Sequence, residues 1–147
     1  KKFTGKGIAL AAPEVSLEAR AKLLELATRH KFLRVASFTS GEIGTAVRSG
    51  LMQQIDLLGI NLDEAAAAAG LSIMDHTPRS IVEAAIKTFS KINPQMMLSV
   101  TKGKDGSWIW EGAKLNHLPI VQVHVQNTAG AGDAHLAGLM VGLTAGL

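Results

Sequence analysis

Residues 55–69 read IDLLGINLDEAAAAA, a short apolar run followed at once by an alanine-rich run. The apolar run from Ile55 to Ile60 has the length and branched side chains of a buried strand. The run from Leu62 to Ala69 is rich in alanine, which is the best helix former. The stretch therefore predicts a strand followed directly by a helix.

The same alternation occurs on both sides of this stretch. Short apolar runs predict further strands at Gly7 to Ala12, Phe32 to Phe38 and Met96 to Thr101. Apolar residues at helical spacing follow Ser16, a candidate N-cap, and predict a helix there. The same spacing predicts helices at Ile43 to Met52 and Pro78 to Ile92. Strands that alternate with helices at this interval predict βαβ units and a mostly parallel sheet covered on both faces.

The last third of the chain has a different pattern. Three short strands are predicted at Ser107 to Trp110, Lys114 to Leu118 and Val121 to Val125, and short turns join them. Strands joined in this way pair antiparallel. A long apolar helix is predicted from about Gly132. The expected fold class is α/β, a doubly wound and mostly parallel sheet with an antiparallel edge.

Composition limits the class of protein. The chain has 147 residues, of which 47% are apolar and 18% charged, which predicts one globular domain or part of one. There is no cysteine, so disulfides and thiolate metal sites are excluded, and we expect a cytoplasmic protein. The sequence does not begin with Met, and the apolar run from Leu136 to Leu147 ends without a helix-ending signal. We therefore expect residues 1–147 to be a partial domain, incomplete at both ends.

Charge and hydropathy argue against two kinds of partner. The net charge is +3, but the lysines and arginines are scattered and no cluster is interleaved with aromatic residues. We therefore expect no nucleic-acid partner. The apolar run from Leu136 is about half the length of a membrane-spanning helix, so no membrane partner is expected either.

The candidate site is the segment 127–133, which reads NTAGAGD between a predicted strand and a predicted helix. Its glycines allow close approach of a ligand, and the first amides of a helix have no partner within the helix. Together with the helix dipole, these amides predict an anion-binding turn. The amides in question belong to Ala129, Gly130, Ala131 and Gly132. Asp133 follows in the first helical turn, where its carboxylate could accept a proton, or could merely favour the helix dipole.

The sequence lacks the motifs of several other kinds of nucleotide-binding, metal-binding and catalytic site. His135 occupies the place of the third glycine of a dinucleotide-binding fingerprint, and no GxxxxGK[ST] run exists. The five histidines lack the spacing of zinc ligands, and no GxSxG sequence is present.

Three motifs, in order, carry a family resemblance. The segment 127–133 resembles the signature D-T-x-G-A-G-D of the ribokinase-like (PfkB-type) kinases. Asn61 and Glu64 are similar to the N-x-x-E motif of that family. Thr101, Gly103 and Gly106 are similar to its T-x-G-x-x-G motif. All three motifs follow predicted strand ends, where ligands bind in open parallel sheets.

The resemblance implies a kinase that transfers the γ-phosphoryl group of ATP to a hydroxyl of a sugar or nucleoside. It implies that Asp133 is the catalytic base, and that Asn61 and Glu64 hold Mg²⁺ through water. Thr101 and Gly103 are expected near the nucleotide, with Gly106 as the turn that follows. For Asn61 and Glu64 the alternative is a capping box at the start of a helix.

The chain departs from the family pattern at two positions. Asn127 replaces the first Asp of the signature, which would weaken or abolish a monovalent-cation site, and His135 replaces a common Phe. The family also has an acceptor-binding segment and a small β lid, often a dimer interface, that are not recognisable here. The resemblance thus implies a homodimer formed through the lid. Two alternatives stay open, a regulatory module that binds nucleotide without turnover and a vitamin-type kinase that phosphorylates a hydroxymethyl heterocycle.

Overall fold

The computed structural model describes residues 7–146, which form one six-stranded sheet with five α-helices and two short 3-10 helices. The strands are β1 (Ile8–Ala11), β2 (Leu33–Ala36), β3 (Leu57–Asn61), β4 (Met97–Thr101), β5 (Ser107–Trp110) and β6 (Leu115–Leu118). The helices are α1 (Leu17–Arg29), α2 (Ser40–Arg48), α3 (Leu62–Ala69), α4 (Pro78–Ile92) and α5 (Ala131–Ala145).

The spatial order of the strands follows the chain, from β1 to β6. The first four strands are parallel, and β5 and β6 are antiparallel to their neighbours. The α/β class and the mostly parallel sheet with an antiparallel edge are therefore confirmed. Helices cover both faces, four on one face and α5 on the other.

The main core lies between the sheet and the helices α1 to α4. Alternate residues of the strands, such as Ala36, Leu58 and Val100, meet apolar side chains of these helices, such as Leu24 and Phe89. Because successive side chains of a strand point to opposite faces, the intervening residues meet α5. Val35 and Leu57, for example, pack with Leu136.

Glycine at position 59 permits the close approach of α5. A Cβ atom on Gly59 would lie 2.7 Å from Cδ1 of Leu136, closer than packed atoms approach. Leu136 is the most buried residue of α5, with 7% of its surface exposed. The helix therefore rests directly on the backbone of β3.

Two buried arginines tie elements together on the α1 side. Arg34 of β2 binds both carboxylate oxygens of Asp56, at 2.8 and 2.7 Å, and also the Thr28 hydroxyl of α1. Arg20 of α1 is fully buried, and it donates to the Ser37 carbonyl and to Glu42 of α2. These charges are paired, as buried charges must be.

Two predicted helix boundaries are wrong. The second helix was expected at Ile43 to Met52, but α2 begins at Ser40 because Thr39 and Glu42 form a capping box. It ends at Arg48, before Gly50 turns into the left-handed conformation (φ 78°). The last helix is also capped, since Gly146 (φ 77°) donates back to the Gly142 and Leu143 carbonyls. The expected uncapped end was wrong, and Leu147 itself lies outside the described residues.

The third strand of the predicted antiparallel edge, Val121 to Val125, is wrong as well. These residues form irregular, exposed chain, with 84% of the Val121 surface accessible. Alternating valines favour a strand, but a strand also requires a partner, and Pro119 interrupts the chain directly after β6. The segment therefore connects β6 to α5 without joining the sheet.

Candidate active site

The carboxyl ends of the parallel strands and the start of α5 meet at one edge of the sheet. Asn61 ends β3 and Thr101 ends β4, and the two residues are partners in the strand register. Leu136 rests on Gly59 in the same strand, so the first turn of α5 lies over the same edge. The sheet thus brings the three sequence motifs together, as the strand-end argument predicts.

Two crevices open at this edge, and residues from the start of α5 line both of them. The strand-end crevice has a volume of about 220 Å³. It is lined by Pro13, Glu14, Ser37, Gly59, Ile60, Asn61, Glu64, Thr101, Gly132, Asp133, His135 and Leu136. The loop crevice, of about 400 Å³, is lined by Thr101, Gly103, Gly106, Ser107, Leu118, Pro119, Ile120, Val121, Ala131, Gly132 and His135. The crevices share the residues Thr101, Gly132 and His135.

Asp133 lies in the first turn of α5 and lines the strand-end crevice. Its side chain is exposed to solvent, and the same wall carries the backbone of Gly132. A carboxylate at this position can accept a proton from a hydroxyl group bound in the crevice. The position therefore fits a general base.

Only part of the predicted anion-binding turn is open. The Ala129 amide donates to the Asn127 side chain at 2.9 Å, and the Ala131 amide donates to the Thr128 carbonyl at 3.2 Å. Among the described residues, the amides of Gly130 and Gly132 have no partner. Gly130 has φ 76°, the left-handed conformation that starts the helix without a side-chain cap. The open amides, rather than all four, can bind an anion at the helix dipole.

Asn61 and Glu64 form the capping box that the sequence left as an alternative. The Asn61 amide donates to Glu64 Oε2 at 2.8 Å, and the Glu64 amide donates to Asn61 Oδ1 at 2.9 Å. Burial raises the pKa of the Glu64 carboxyl above its ordinary value, although the hydrogen bond from the Asn61 amide opposes this rise. Both residues also line the strand-end crevice, so the cap presents its polar groups to the site.

Gly103 and Gly106 shape the turn between β4 and β5. Both have positive φ angles, 42° and 87°, and a Cβ atom on Gly106 would lie 2.1 Å from the Leu118 carbonyl oxygen. Gly106 is therefore required by the contact with the end of β6. Lys102 of this turn pairs with Asp105 at 3.0 Å, and it is not among the residues that line either crevice.

Sequence reasoning missed four residues at the site. Pro13 and Glu14 follow β1, and Ser37 follows β2, so the strand-end argument could have found them. His135 was noted only as a departure from the family pattern, yet its ring lies 2.8 Å from the Ser99 hydroxyl and lines both crevices. Burial lowers the pKa of His135, so its ring is neutral at neutral pH.

Residues 7–146 contain neither a cluster of metal-binding side chains nor a helix long and apolar enough to cross a membrane. No three histidine, aspartate or glutamate side chains come close enough together to hold a metal ion directly. None of the helices in this part of the chain combines the length and apolar character that a membrane crossing requires.

Comparison with known proteins agrees with the motifs. The chain is 30% identical over 110 residues to the uncharacterized sugar kinase YegV of Escherichia coli K12, an alignment that covers 73% of this chain and 32% of the relative. The fold matches a ribokinase from Cryptococcus neoformans var. grubii serotype A in complex with ADP, with a TM-score of 0.75 and 21% identity over 93% of this chain and 47% of that chain. It also matches an adenosine kinase from Sinorhizobium meliloti, with a TM-score of 0.71 and 21% identity over 93% of this chain and 43% of that chain.

The chain corresponds to only part of each of these relatives. The chain spans about a third of the length of the curated relative and less than half of the length of the two solved structures. The two structures share the fold of this chain. The profile of the pfkB family carbohydrate kinases matches residues 4–147, and the chain belongs to that family.

Proposed function

We propose that the protein containing this chain transfers the γ-phosphoryl group of ATP to a hydroxyl of a sugar or nucleoside. The observation that carries the proposal is that Asp133 and Gly132 line one crevice together with Asn61, Glu64 and Thr101. Family membership supports the same reaction. Phosphoryl transfer asks a protein mainly to position its reactants and to stabilise charge, and a carboxylate beside open amides provides both.

Each crevice has its own part in the proposal. The loop crevice, beside Thr101, Gly103 and Gly106, has room for part of a nucleotide. The strand-end crevice contains Asp133, which would accept the proton of the attacking hydroxyl. As that oxygen bonds to the γ-phosphorus, the bond from the γ-phosphorus to the β,γ-bridging oxygen breaks and ADP leaves. The Gly132 amide and the positive end of the α5 dipole would stabilise the negative charge on the transferred group.

Mg²⁺ fits the donor groups of the strand-end crevice. Glu64 uses Oε2 in the capping box, which leaves Oε1 free of any described hydrogen bond, and oxygen donors are the ligands that Mg²⁺ prefers. Because the described carboxylates are not clustered, Glu64 and Asn61 would hold the ion through water, as the family resemblance implies. When bound, Mg²⁺ would neutralise phosphate charge.

A monovalent cation does not fit the signature segment in the same way. Asn127 is neutral, and its side-chain oxygen already accepts the hydrogen bond of the Ala129 amide. We therefore derive no step from such a cation, and we propose that the enzyme works without this kind of activation.

The neutral Asn127 also favours a second candidate, a regulatory module that binds nucleotide without turnover. The vitamin-type kinase differs from the first proposal only in its acceptor. A homodimer formed through a lid concerns segments outside residues 1–147, and it stays a proposal, as does the cytoplasmic location.

The test is phosphoryl transfer from ATP by the natural polypeptide that contains residues 1–147, across a panel of sugars, nucleosides and hydroxymethyl heterocycles. We expect Asp133→Ala to lower kcat by roughly 10²- to 10⁴-fold, the range found for general bases. Glu18→Ala is the matched control, because Glu18 also lies in the first turn of a helix but lines neither crevice. It should leave kcat within about twofold, since it removes no group from the site.

Three results would separate the candidates. Turnover that falls only in Asp133→Ala would support the kinase and its base. Nucleotide binding without turnover on any acceptor would favour the regulatory module. Equal turnover in Asp133→Ala and Glu18→Ala would contradict the assignment of the base.

A further inference from the structure

His135 occupies the junction of the two crevices. It lies one turn into α5, two residues after Asp133, and its half-buried ring lines both crevices. It therefore lies between the expected nucleotide side and the expected acceptor side without belonging to any of the sequence motifs.

The ring is anchored to the centre of the sheet. His135 Nε2 and the Ser99 hydroxyl share a hydrogen bond of 2.8 Å, and Ser99 in β4 has none of its surface exposed. Ser99 is the register partner of Gly59, on which Leu136 rests. Two successive residues of α5 thus contact two paired residues of the sheet, one by a polar bond and one by apolar packing.

The start of α5 depends on this anchor. Its N-cap is Gly130, which makes no side-chain capping bond, and residues 121–130 before it are exposed throughout. Within the described residues, the first buried contact that the chain makes after this exposed stretch is the one through His135 and Leu136. The contacts that hold Asp133 at the strand-end crevice therefore come after it in the chain, at His135 and Leu136.

We propose that His135 is a positioning residue. Its hydrogen bond to Ser99 fixes the first turn of α5, with Asp133 and the Gly132 amide, at the distance from Asn61 and Thr101 that phosphoryl transfer requires. The phenylalanine common at this position in the family could fill the space but could not bond to the buried hydroxyl. The inference rests on the proposed function, and it assigns to His135 no proton transfer.

The chemistry of the pair suits a fixed anchor. Burial lowers the pKa of His135, which keeps the ring neutral near pH 7. A serine hydroxyl can donate to or accept from a neutral imidazole, so either tautomer preserves the bond. A buried hydroxyl that loses its partner is costly, which opposes any shift of α5 away from Ser99.

The test compares His135→Gln, His135→Asn and Ser99→Ala in the natural polypeptide. Glutamine carries its terminal amide at about the reach of Nε2 and can still meet Ser99, whereas asparagine reaches only the place of Nδ1. Ser99→Ala removes the same bond from the sheet side and leaves α5 unaltered. We expect kcat to fall roughly 10- to 100-fold in His135→Asn and Ser99→Ala, as a misplacement of about 1 Å can cause.

Four further readouts distinguish positioning from general stability. His135→Gln should retain kcat within about threefold of wild type, and KM for ATP should change less than kcat in all variants. The double variant Ser99→Ala with His135→Asn should be no more than about twofold slower than the slower single variant, because both changes remove one bond. Hydrogen exchange of peptides covering residues 131–140 should be faster in His135→Asn and Ser99→Ala than in wild type and His135→Gln.

Several outcomes would overturn the inference. These are equal kcat in His135→Gln and His135→Asn, multiplicative losses in the double variant, or equal exchange in all proteins. The exchange measurement does not depend on activity. If wild type phosphorylates no acceptor while exchange differs as expected, the proposed function fails and the anchor of α5 is supported.

Discussion

Gly59 shows how one missing Cβ atom allows a helix to pack directly on the sheet beside the candidate site. The backbone of β3 meets Leu136 at a distance that leaves no room for a methyl group, since the added Cβ would lie 2.7 and 3.3 Å from its two terminal carbons. Leu136 is buried between β3 and the rest of α5, so it cannot simply turn into solvent. Any larger residue at position 59 must move the helix that carries Asp133.

We therefore expect Gly59→Ala to lower the free energy of unfolding by about 1–3 kcal/mol, the usual cost of overpacking. It should also lower kcat, because the displaced α5 carries the site. The control is Gly44→Ala in α2, where the new Cβ meets only the end of Arg48 at an ordinary 3.4 Å. Alanine should stabilise that helix by about 0.5–1 kcal/mol. Urea unfolding measures both, and a Gly59→Ala protein as stable as Gly44→Ala would contradict the packing argument.

Helices α2 and α3 begin with the same capping motif, but their glutamates have opposite electrostatic environments. In α2, burial alone would raise the pKa of Glu42, yet hydrogen bonds from the Thr39 amide and from Arg20 outweigh burial and lower it below 4.5. In α3, burial raises the pKa of Glu64 above 4.5, and the nearby Asp63 carboxylate adds to the rise. One capping glutamate is stabilised in its charged form and the other in its neutral form.

This difference predicts opposite pH dependence for two variants. The charged form of Glu42 stabilises the fold at pH values above the pKa that Glu42 has in the unfolded chain. This stability is lost as pH falls through the lowered pKa of the folded state. Glu42→Gln should therefore be less stable than wild type at pH 7, and the two proteins should become similarly stable below pH 4.5. The protonated form of Glu64 stabilises the fold below the unfolded pKa, and this stability is lost as pH rises through the raised folded pKa. Relative to wild type, Glu64→Gln should therefore gain stability as pH rises above 4.5.

Urea unfolding from pH 3.5 to 7 measures both trends. The same slope with pH for both variants would show that the two capping boxes are electrostatically alike.

The elements show which parts of the structure the sequence could predict. The bounds of α3, α4 and β5 follow from signals within a few residues, such as the alanine run, the proline at the start of α4 and the asparagine-proline pair after it. The valines at 121–125 alternate as a strand should, but whether a strand forms depends on a partner that local sequence does not specify.

The same contrast holds for the site. The motifs at Asn61, Thr101 and Asp133 could be placed together because the ends of parallel strands share one edge. The occupied amides of Ala129 and Ala131 could not be predicted, because they depend on how the turn folds back on itself. The hydrogen bond between His135 and Ser99 joins residues 36 positions apart in the chain, and no local sequence pattern predicts it.

At the scale of the whole molecule, some apolar side chains near the sheet are exposed to solvent. Helix α5 packs on β2, β3 and β4, whereas Leu10 of β1 is 39% exposed, and Val121 and Val123 are 84% and 70% exposed. The chain spans about a third of the curated relative and less than half of the ribokinase structure. Surface of this kind usually meets another part of a protein.

We expect residues 1–147, produced alone, to bind a hydrophobic dye such as ANS, to self-associate at micromolar concentration and to transfer no phosphoryl group. The natural polypeptide should bind less dye and should be active, since further chain would cover these residues and complete the crevices. Dye fluorescence, sedimentation and the transfer assay provide the comparison. A monomeric, dye-silent and active piece would show that the six-stranded unit is self-sufficient.

The sequential strand order has a consequence for synthesis on the ribosome. Each strand from β2 to β6 emerges beside an edge that its predecessor has just formed, so the sheet can grow in step with translation. Helix α5 emerges later and must return to β3 and β4, where Leu136 and His135 find their partners. Ribosome-bound chains that have emerged from the exit tunnel only as far as residue 130 should therefore resist protease over much of the sheet and yet lack both crevices. In the growing polypeptide the sheet would form first, and the two crevices would form only after α5 has returned to it.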